Sequence, residues 1–473
     1  MSLKTAICVL IKDENDYLDE WLDYHLNLGI DEIFLYEDYG SKSHLDIVKP
    51  YGNKVHLNSI DIMFNSADRR KNIANNGSRV QVQLFDYFPK MYRNDFDWIL
   101  FIDLDEFLIL KKPLHDLLKK YSNKPSIFLK WRWYGASGHK NKPIGKVMNN
   151  YTNYVSTNFN YWLTFKSFIN CKKFKKWGIT IHEAIGGVYP LDEYGDHCAW
   201  INHYFTKSWE EWKIKILERG DTFPGNRKIM DFFRLNEDMN SIKTDLLLPI
   251  AIDSATKFGF NKNKEKGTKY FHFCWFGGGS FNDVNKMCIE SWKKYLSDDY
   301  IVCLWDENSF DYYENTFCRD AYDNKQYAFV SDYVRLWSVY NFGGVYFDTD
   351  VELLKPIDDL PINFMSIEKV TYKINNGNGF GAKKGNEVIG DLLNIYDNLT
   401  FDYNGRFGIY CPEIITTYFL DKGYKENKNE IQEFLDFTIY PDKYFAPKNY
   451  ITKDIDDITE ETIAIHHYLG SWA

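Results

Sequence analysis

The apolar pattern of this chain starts as strand, helix, strand. Thr5 to Ile11 (TAICVLI) is an apolar run of strand length, Asn15 to Leu28 has helical spacing with Gly29 at the stop position, and Glu32 to Tyr36 returns to a strand. A long helix is predicted near Ser78 to Phe88, and a strand over Trp98 to Ile102 delivers Asp103, Leu104 and Asp105. Between Asp253 and Lys269 the stretch DSATKFGFNKNKEKGTK loses periodicity and becomes rich in Lys, Asn and Gly, the chemistry of a linker. The plan then restarts. A strand over Tyr270 to Trp275 leads into a glycine turn, Gly277 to Gly279, followed by a helix about Val284 to Tyr295 and a strand over Tyr300 to Trp305.

This alternation predicts an α/β fold with mostly parallel sheets, whose ligands sit beyond the carboxyl ends of strands. At 473 residues the chain exceeds a single core, which stops growing at roughly 250–300 residues, so two domains are expected, 1–265 and 266–473. A net charge of −10 excludes a general nucleic-acid binder, which carries a basic stripe. The basic runs KKFKKW and KNKEKGTK read either as solvated lysines or as contacts to acidic lipid heads or a diphosphate-linked acceptor. Eight scattered cysteines without CxxC pairs suit a reducing cytosol. With no apolar segment of membrane-spanning length, the expectation is a cytoplasmic protein, with the inner face of a membrane as a place of action.

Asp-x-Asp occurs four times, at Asp95/Asp97, Asp103/Asp105, Asp348/Asp350 and Asp454/Asp456, so the tripeptide alone decides nothing. Only the middle two directly follow four or five apolar residues, which puts their carboxylates where a strand emerges from a sheet. Two buried carboxylates side by side need a cation or a proton to offset their repulsion, and Mg²⁺ or Mn²⁺ commonly bridges such a pair to substrate phosphates. The rival reading is an aspartate pair capping a helix or turn. Trp275 beside the glycine turn is placed to stack on a base, with the backbone at Gly277 able to approach a phosphate. Asp332 and Arg335 lie one helical turn apart on one face. The last eight residues, HHYLGSWA, crowd together His466, His467, Ser471 and Trp472.

The second half resembles the DXD-containing sugar-transferase family 32, on CWFGGG, IESWKKY, SDYVRLWSVYNFGGVYFDTDVELLKPID, CPEIITTYF and the closing HHYLGSW. The resemblance implies a GT-A fold and transfer of a sugar from a nucleotide-sugar with retention. It implies Asp350 on the metal, Asp348 on metal or ribose, Trp275 on the base, and Asp332 and Arg335 on the donor sugar and diphosphate. His467 is implied as third metal ligand, with His466 as its alternative, and Ser471 and Trp472 as a cover over the diphosphate. Glu413, in CPEII, is an acceptor-side candidate.

The first half resembles the family 2/family 92 type of GT-A transferase, on KDENDYLDEWLDYHLNLGIDEIFLYEDYGS, DWILFIDLDEFL and INHYFTKSWEEWKIKILERGD. This implies nucleoside contacts from Glu14 and Asp38, metal contacts from Asp103 and Asp105 with His203 as a further ligand, and inversion of configuration. Inversion needs a general base, for which Glu183 and Asp196 are the candidates. Together the halves imply a bifunctional, Mn²⁺- or Mg²⁺-dependent glycosyltransferase that uses nucleotide-sugars, UDP-sugars foremost. Its acceptor is expected to be a glycan, glycolipid or glycoprotein, in the manner of bacterial capsular-polysaccharide synthesis. Two alternatives stand beside it: one half serving as an inactive binding or scaffold module, and a metal-dependent nucleotidyltransferase.

Overall fold

The computed structural model of the chain describes residues 3–13, 15–38, 41–60, 78–154, 165–178, 184–191, 197–218, 229–260, 267–402, 410–455 and 458–469. It divides into two compact units, Met1–Asn240 and Ser241–Ala473.

In the first unit the strands are β1 (Thr5–Ile11), β2 (Glu32–Glu37), β3 (Val55–Ser59), β4 (Trp98–Phe101), β5 (Glu106–Leu110), β6 (Ser126–Trp133), β7 (Phe165–Asn170) and β8 (Ala199–His203). They form one sheet in the order β3, β2, β1, β4, β7, β6, β8, β5. Strand β1 explains why it reads as an unbroken apolar run. Ile7, Val9 and Ile11 enter one core while Ala6 and Cys8 enter another, so both faces are covered. The helix Leu18–Asn27 buries Leu18, Trp21, Leu22 and His25, the i, i+3, i+4, i+7 stripe, and Gly29 follows it at φ 105°. Ten residues are too few to persist as an isolated helix. Burial at roughly 1.5–3 kcal/mol per large apolar side chain is what holds this one.

The second unit contains β9 (Lys269–Cys274), β10 (Tyr300–Trp305), β11 (Gly344–Tyr346), β12 (Val351–Leu353), β13 (Phe364–Ser366), β14 (Phe380–Ala382), β15 (Gln432–Phe434), β16 (Phe437–Tyr440) and β17 (Ala464–His466). Seven of them form a sheet in the order β10, β9, β11, β14, β13, β16, β15, while β12 and β17 pair separately. Both units are α/β, as the alternation predicts. The sheets are mixed instead of mostly parallel: β7 runs antiparallel to β4, and β14 antiparallel to β11. In the first unit the chain leaves β4 through Asp103–Asp105 into β5, which pairs with β8 at the edge of the sheet, so the place beside β4 is taken by β7, which runs antiparallel to both β4 and β6.

The helix Lys243–Thr256 starts the second unit and buries Leu247, Ile250, Ala251, Ser254 and Ala255. Asp253 to Thr256, linker-like in composition, therefore belong to a packed helix, and the expected boundary near residue 265 falls after it. All eight cysteines are free and buried, behaving as small apolar side chains. No helix among the described residues is long and apolar enough to cross a membrane.

Candidate functional site

In the second unit β11 emerges between β9 and β14, and the chain turns through Phe347, Asp348, Thr349 and Asp350 into β12. The helix Asp283–Tyr295, capped by the Asn282 side chain, props this turn. Asn285 Nδ2 donates to the Thr349 carbonyl at 3.3 Å, Trp292 Nε1 donates to the Val351 carbonyl at 2.8 Å, and Ser291 Oγ accepts from the Leu353 amide at 2.9 Å. The IESWKKY stretch is thus the buttress of the acidic tip.

Asp348 Oδ1 accepts from the Tyr346 hydroxyl at 2.7 Å and pairs with Arg335 Nη2 at 3.0 Å. Asp350 Oδ2 accepts from the Leu469 amide at 2.8 Å, and its Oδ1 faces His466 Nε2 at 3.2 Å. Burial opposes the charge on Asp350, but His466 and the Leu469 amide outweigh it and hold the carboxyl below the usual range. Ligand atoms of Asp348, Asp350 and His466 all lie within 4.8 Å of one another.

His466 stands where the sequence placed His467. The antiparallel β12–β17 register sets Val351 opposite His466, which turns that ring toward Asp350. His467 is sent the other way, its Nε2 3.0 Å from Glu352 Oε2. The donor set fits a divalent cation. His466 Nδ1 is 2.8 Å from Asn378 Oδ1 and so carries a hydrogen; Nε2, on giving up the proton that the neighbouring Asp350 favours, becomes an acceptor facing a carboxylate oxygen. Two such acceptors need a positive charge between them, a proton or a metal ion.

Arg335, buried on the helix Tyr327–Phe342, reaches Asp332 Oδ1 at 2.9 Å, Asp348 at 3.0 Å and Asn376 Oδ1 at 3.0 Å. Burial, opposed by Arg335 and reinforced by Asp348, pushes the Asp332 carboxyl up to about 7. Asn376 Nδ2 beside this group is buried without a hydrogen-bond partner among the described residues. Trp275 is partly exposed; its Nε1 donates to the Gly279 carbonyl at 2.7 Å and its ring meets Phe281 edge-on at 4.2 Å. The Gly277 amide donates to Glu307 Oε1 at 2.6 Å, and a Cβ there would enter the Tyr327 ring. Glu413 lies on the surface paired with Lys373.

The first unit's acidic tip is arranged differently. Asp103 Oδ2 is 2.6 Å from Lys166 Nζ, and its Oδ1 accepts from Gln81 Nε2 at 2.9 Å. Asp105 lies 3.0 Å from Lys215 Nζ and 3.5 Å from His203 Nε2. The residues that converge as a ligand group are Asp105, Glu106 and His203, because the β5–β8 register sets Glu106 opposite His203. Asp103, expected beside Asp105, is turned onto Lys166 instead. Glu106 is absent from the residues the sequence points to, although a carboxylate opening the apolar run EFLIL is a sign of a buried charge. The burial of Lys166 on β7 leaves no such sign. His203 is enclosed by Trp131 at 4.3 Å and Trp133 at 5.0 Å, ring centre to ring centre. Asp38 closes β2, its amide donating to the Ile11 carbonyl at 2.8 Å. Glu14, Glu183, Asp196, Ser471 and Trp472 lie outside the described residues.

Burial first, then repulsion from Asp103 and Asp105, pushes the Glu106 carboxyl well above its ordinary 4.5, with Lys166 pulling the other way. A raised folded-state pKa contributes stability below the unfolded value that is lost as pH rises through the folded one. Glu106→Gln, which mimics the protonated form, should therefore gain stability relative to the parent as pH rises above about 4.5. Hydrogen exchange of the β5 and β8 amides at pH 5 and pH 8, compared between variant and parent, checks this, with the larger gain expected at pH 8.

The sequence pattern of glycosyltransferase family 92 matches residues 4–241, half of the chain. The chain belongs to glycosyltransferase family 92. A second pattern, the glycosyltransferase sugar-binding region containing a DXD motif, matches residues 282–366, which include Asp332, Arg335, Asp348 and Asp350. Family 92 proteins of Oryza sativa subsp. japonica and Ricinus communis are each 26% identical, over 228 and 231 residues. Each alignment covers 46% of this chain, against 36% and 38% of those proteins, so the chain spans little more than a third of the length of the curated relatives it matches. Among solved structures, the PaToxG glycosyltransferase shares 20% identity at a TM-score of 0.27, covering 37% of this chain and 79% of that one. Glucosyl-3-phosphoglycerate synthase from Mycobacterium tuberculosis shares 14% at 0.19, covering 28% and 45%. Scores this low say nothing of what this family 92 chain does. One matched region falls on each of its two α/β units.

Proposed function

We propose that this family 92 chain is a glycosyltransferase using a nucleotide-sugar donor, with a metal-dependent donor site in its second unit. The observation that carries the reading is the convergence of Asp348, Asp350 and His466 beside the buried Arg335. A divalent cation held there would neutralise the charge that develops on a departing nucleoside diphosphate. Arg335 adds a second fixed positive charge, immobilised by the Ser331 carbonyl at 3.2 Å and Asn376 at 3.0 Å, so little reorganisation is needed during reaction. Asp332, able to hold a proton near neutrality, suits a hydrogen bond to a sugar hydroxyl. The imidazole in the donor set favours Mn²⁺ over Mg²⁺. UDP-sugars, a glycan, glycolipid or glycoprotein acceptor, and retention in the second unit belong to the same reading, as do inversion in the first and a cytoplasmic site of action.

Nucleotide-sugars are to be screened for Mn²⁺-dependent hydrolysis, scoring nucleoside diphosphate against pyrophosphate. Release of pyrophosphate would convert the reading to a nucleotidyltransferase. Separate loss of two activities in Asp105→Ala and Asp350→Ala would support bifunctionality. The lysines already paired with Asp103 and Asp105 favour a second reading, in which the first unit binds saccharide without transferring it.

The histidine assignment makes its own prediction. Mn²⁺ bound to chain carrying His203→Gln and labelled with ¹⁵N-histidine should show a nitrogen coupling by electron spin-echo spectroscopy. That coupling is expected to vanish in His466→Ala and to survive in His467→Ala; the opposite pattern would return the ligand role to His467.

A further inference from the structure

We propose that Asn378 is a positioning residue that presents His466 to the second unit's cation by fixing the imidazole tautomer. The inference rests on the reading of Asp348, Asp350 and His466 as a metal site. Asn378 is fully buried in the short turn Asn376–Asn378, which also carries the Asn376 partner of Arg335. Its amide can point only one way. The Ile367 carbonyl, 3.3 Å away, is solely an acceptor, so the group facing it is Nδ2, which also donates to Ser366 Oγ at 3.3 Å. Oδ1 therefore faces His466 Nδ1 at 2.8 Å and requires an N–H there. A neutral imidazole with its hydrogen on Nδ1 has its lone pair on Nε2, the nitrogen 3.2 Å from Asp350.

The same oxygen accepts from the Tyr468 hydroxyl at 3.3 Å, and the Tyr468 ring stacks on His466 at 4.0 Å between centres. Ring orientation and tautomer thus converge on one buried carboxamide, the kind of outer contact that supports metal-ligating histidines. His467 is held differently, its Nε2 engaged by Glu352.

The test uses the full chain carrying Asp105→Asn, so that only the second unit's carboxylates count, with Mn²⁺ titrated by electron paramagnetic resonance. Asn378→Leu should weaken Mn²⁺ binding about 10- to 100-fold. Asn378→Asp keeps the acceptor and should recover most of that loss, which a purely space-filling role would not produce. Circular dichroism establishes that each variant folds. Should the leucine variant fail to fold, the decision passes to the ¹⁵N spectrum of the metal-free chain, assigned with His466→Gln and followed upward in pH until the ring is neutral, where His466 is expected to keep its hydrogen on Nδ1. Undiminished Mn²⁺ affinity in folded Asn378→Leu, or a hydrogen confined to Nε2, overturns the proposal. Absence of Mn²⁺ binding by the chain with Asn378 intact overturns the metal-site reading itself, a separate result because the tautomer is still measurable.

Discussion

Asp350→Asn should abolish Mn²⁺ binding at the second unit and lower its donor turnover by about 10²- to 10³-fold. The substitution is nearly isosteric and leaves an oxygen for the Leu469 amide, so the turn is expected to keep its shape. What it removes is the charge. An amide nitrogen turned toward His466 Nε2 can hydrogen-bond to that ring and would occupy the position where the ion needs an oxygen. Mn²⁺ titration and nucleoside diphosphate release measure the two effects together. Any activity supplied by the first unit should persist, and unchanged Mn²⁺ binding would remove the basis for assigning the ion to this turn.

Lys166→Met should cost the first unit about 3–5 kcal/mol, the usual result of removing one partner from a buried ion pair. Lys166 is fully buried, 2.6 Å from Asp103 and 3.5 Å from the equally buried Glu106, so methionine leaves two carboxylates facing each other without a cation. Proton uptake by those acids offsets part of the loss, which makes the cost smaller at pH 5 than at pH 8. Adding Glu106→Gln to Lys166→Met should restore part of the stability, a coupling that only contacting residues show. Hydrogen exchange of the β4 and β7 amides isolates the first unit, avoiding a single unfolding energy for a two-unit chain. A change below about 1 kcal/mol would mean that solvent reaches the cluster.

The two acidic tips look alike in sequence but differ in space. Each is legible as a strand end, because a charge pair that breaks an apolar run marks where a buried strand reaches the edge of its sheet. The strands Thr5–Ile11 and Tyr300–Trp305 occur as read, and Asp332 and Arg335 share the helix Tyr327–Phe342. Asp97, outside the two tips, behaves as its context implies. Asp97 closes on the Lys4 amide at 2.9 Å and on Lys172 at 2.6 Å, an ordinary turn arrangement.

Side-chain partners are less legible. Lys166 lies far from Asp103 in sequence, and nothing in FKSFIN marks its lysine as buried. Asn378 sits in an NGN turn that reads as an unremarkable loop until β13 and β17 bring Ser366 and His466 to it. Glu106 lies in plain view beside the aspartates, yet its contact with His203 depends on which residues of β5 and β8 face each other.

The sequence by itself determined that the chain builds two α/β units, each ending an apolar strand in carboxylates, since periodicity and the cost of burying charge act locally. Tertiary structure alone decided that His466 and not His467 faces Asp350, and that Glu106 rather than Asp103 joins Asp105. The physical reason is strand register. Neighbouring residues on a strand point to opposite faces, so a shift of one position between distant segments exchanges them, and no local pattern records that shift.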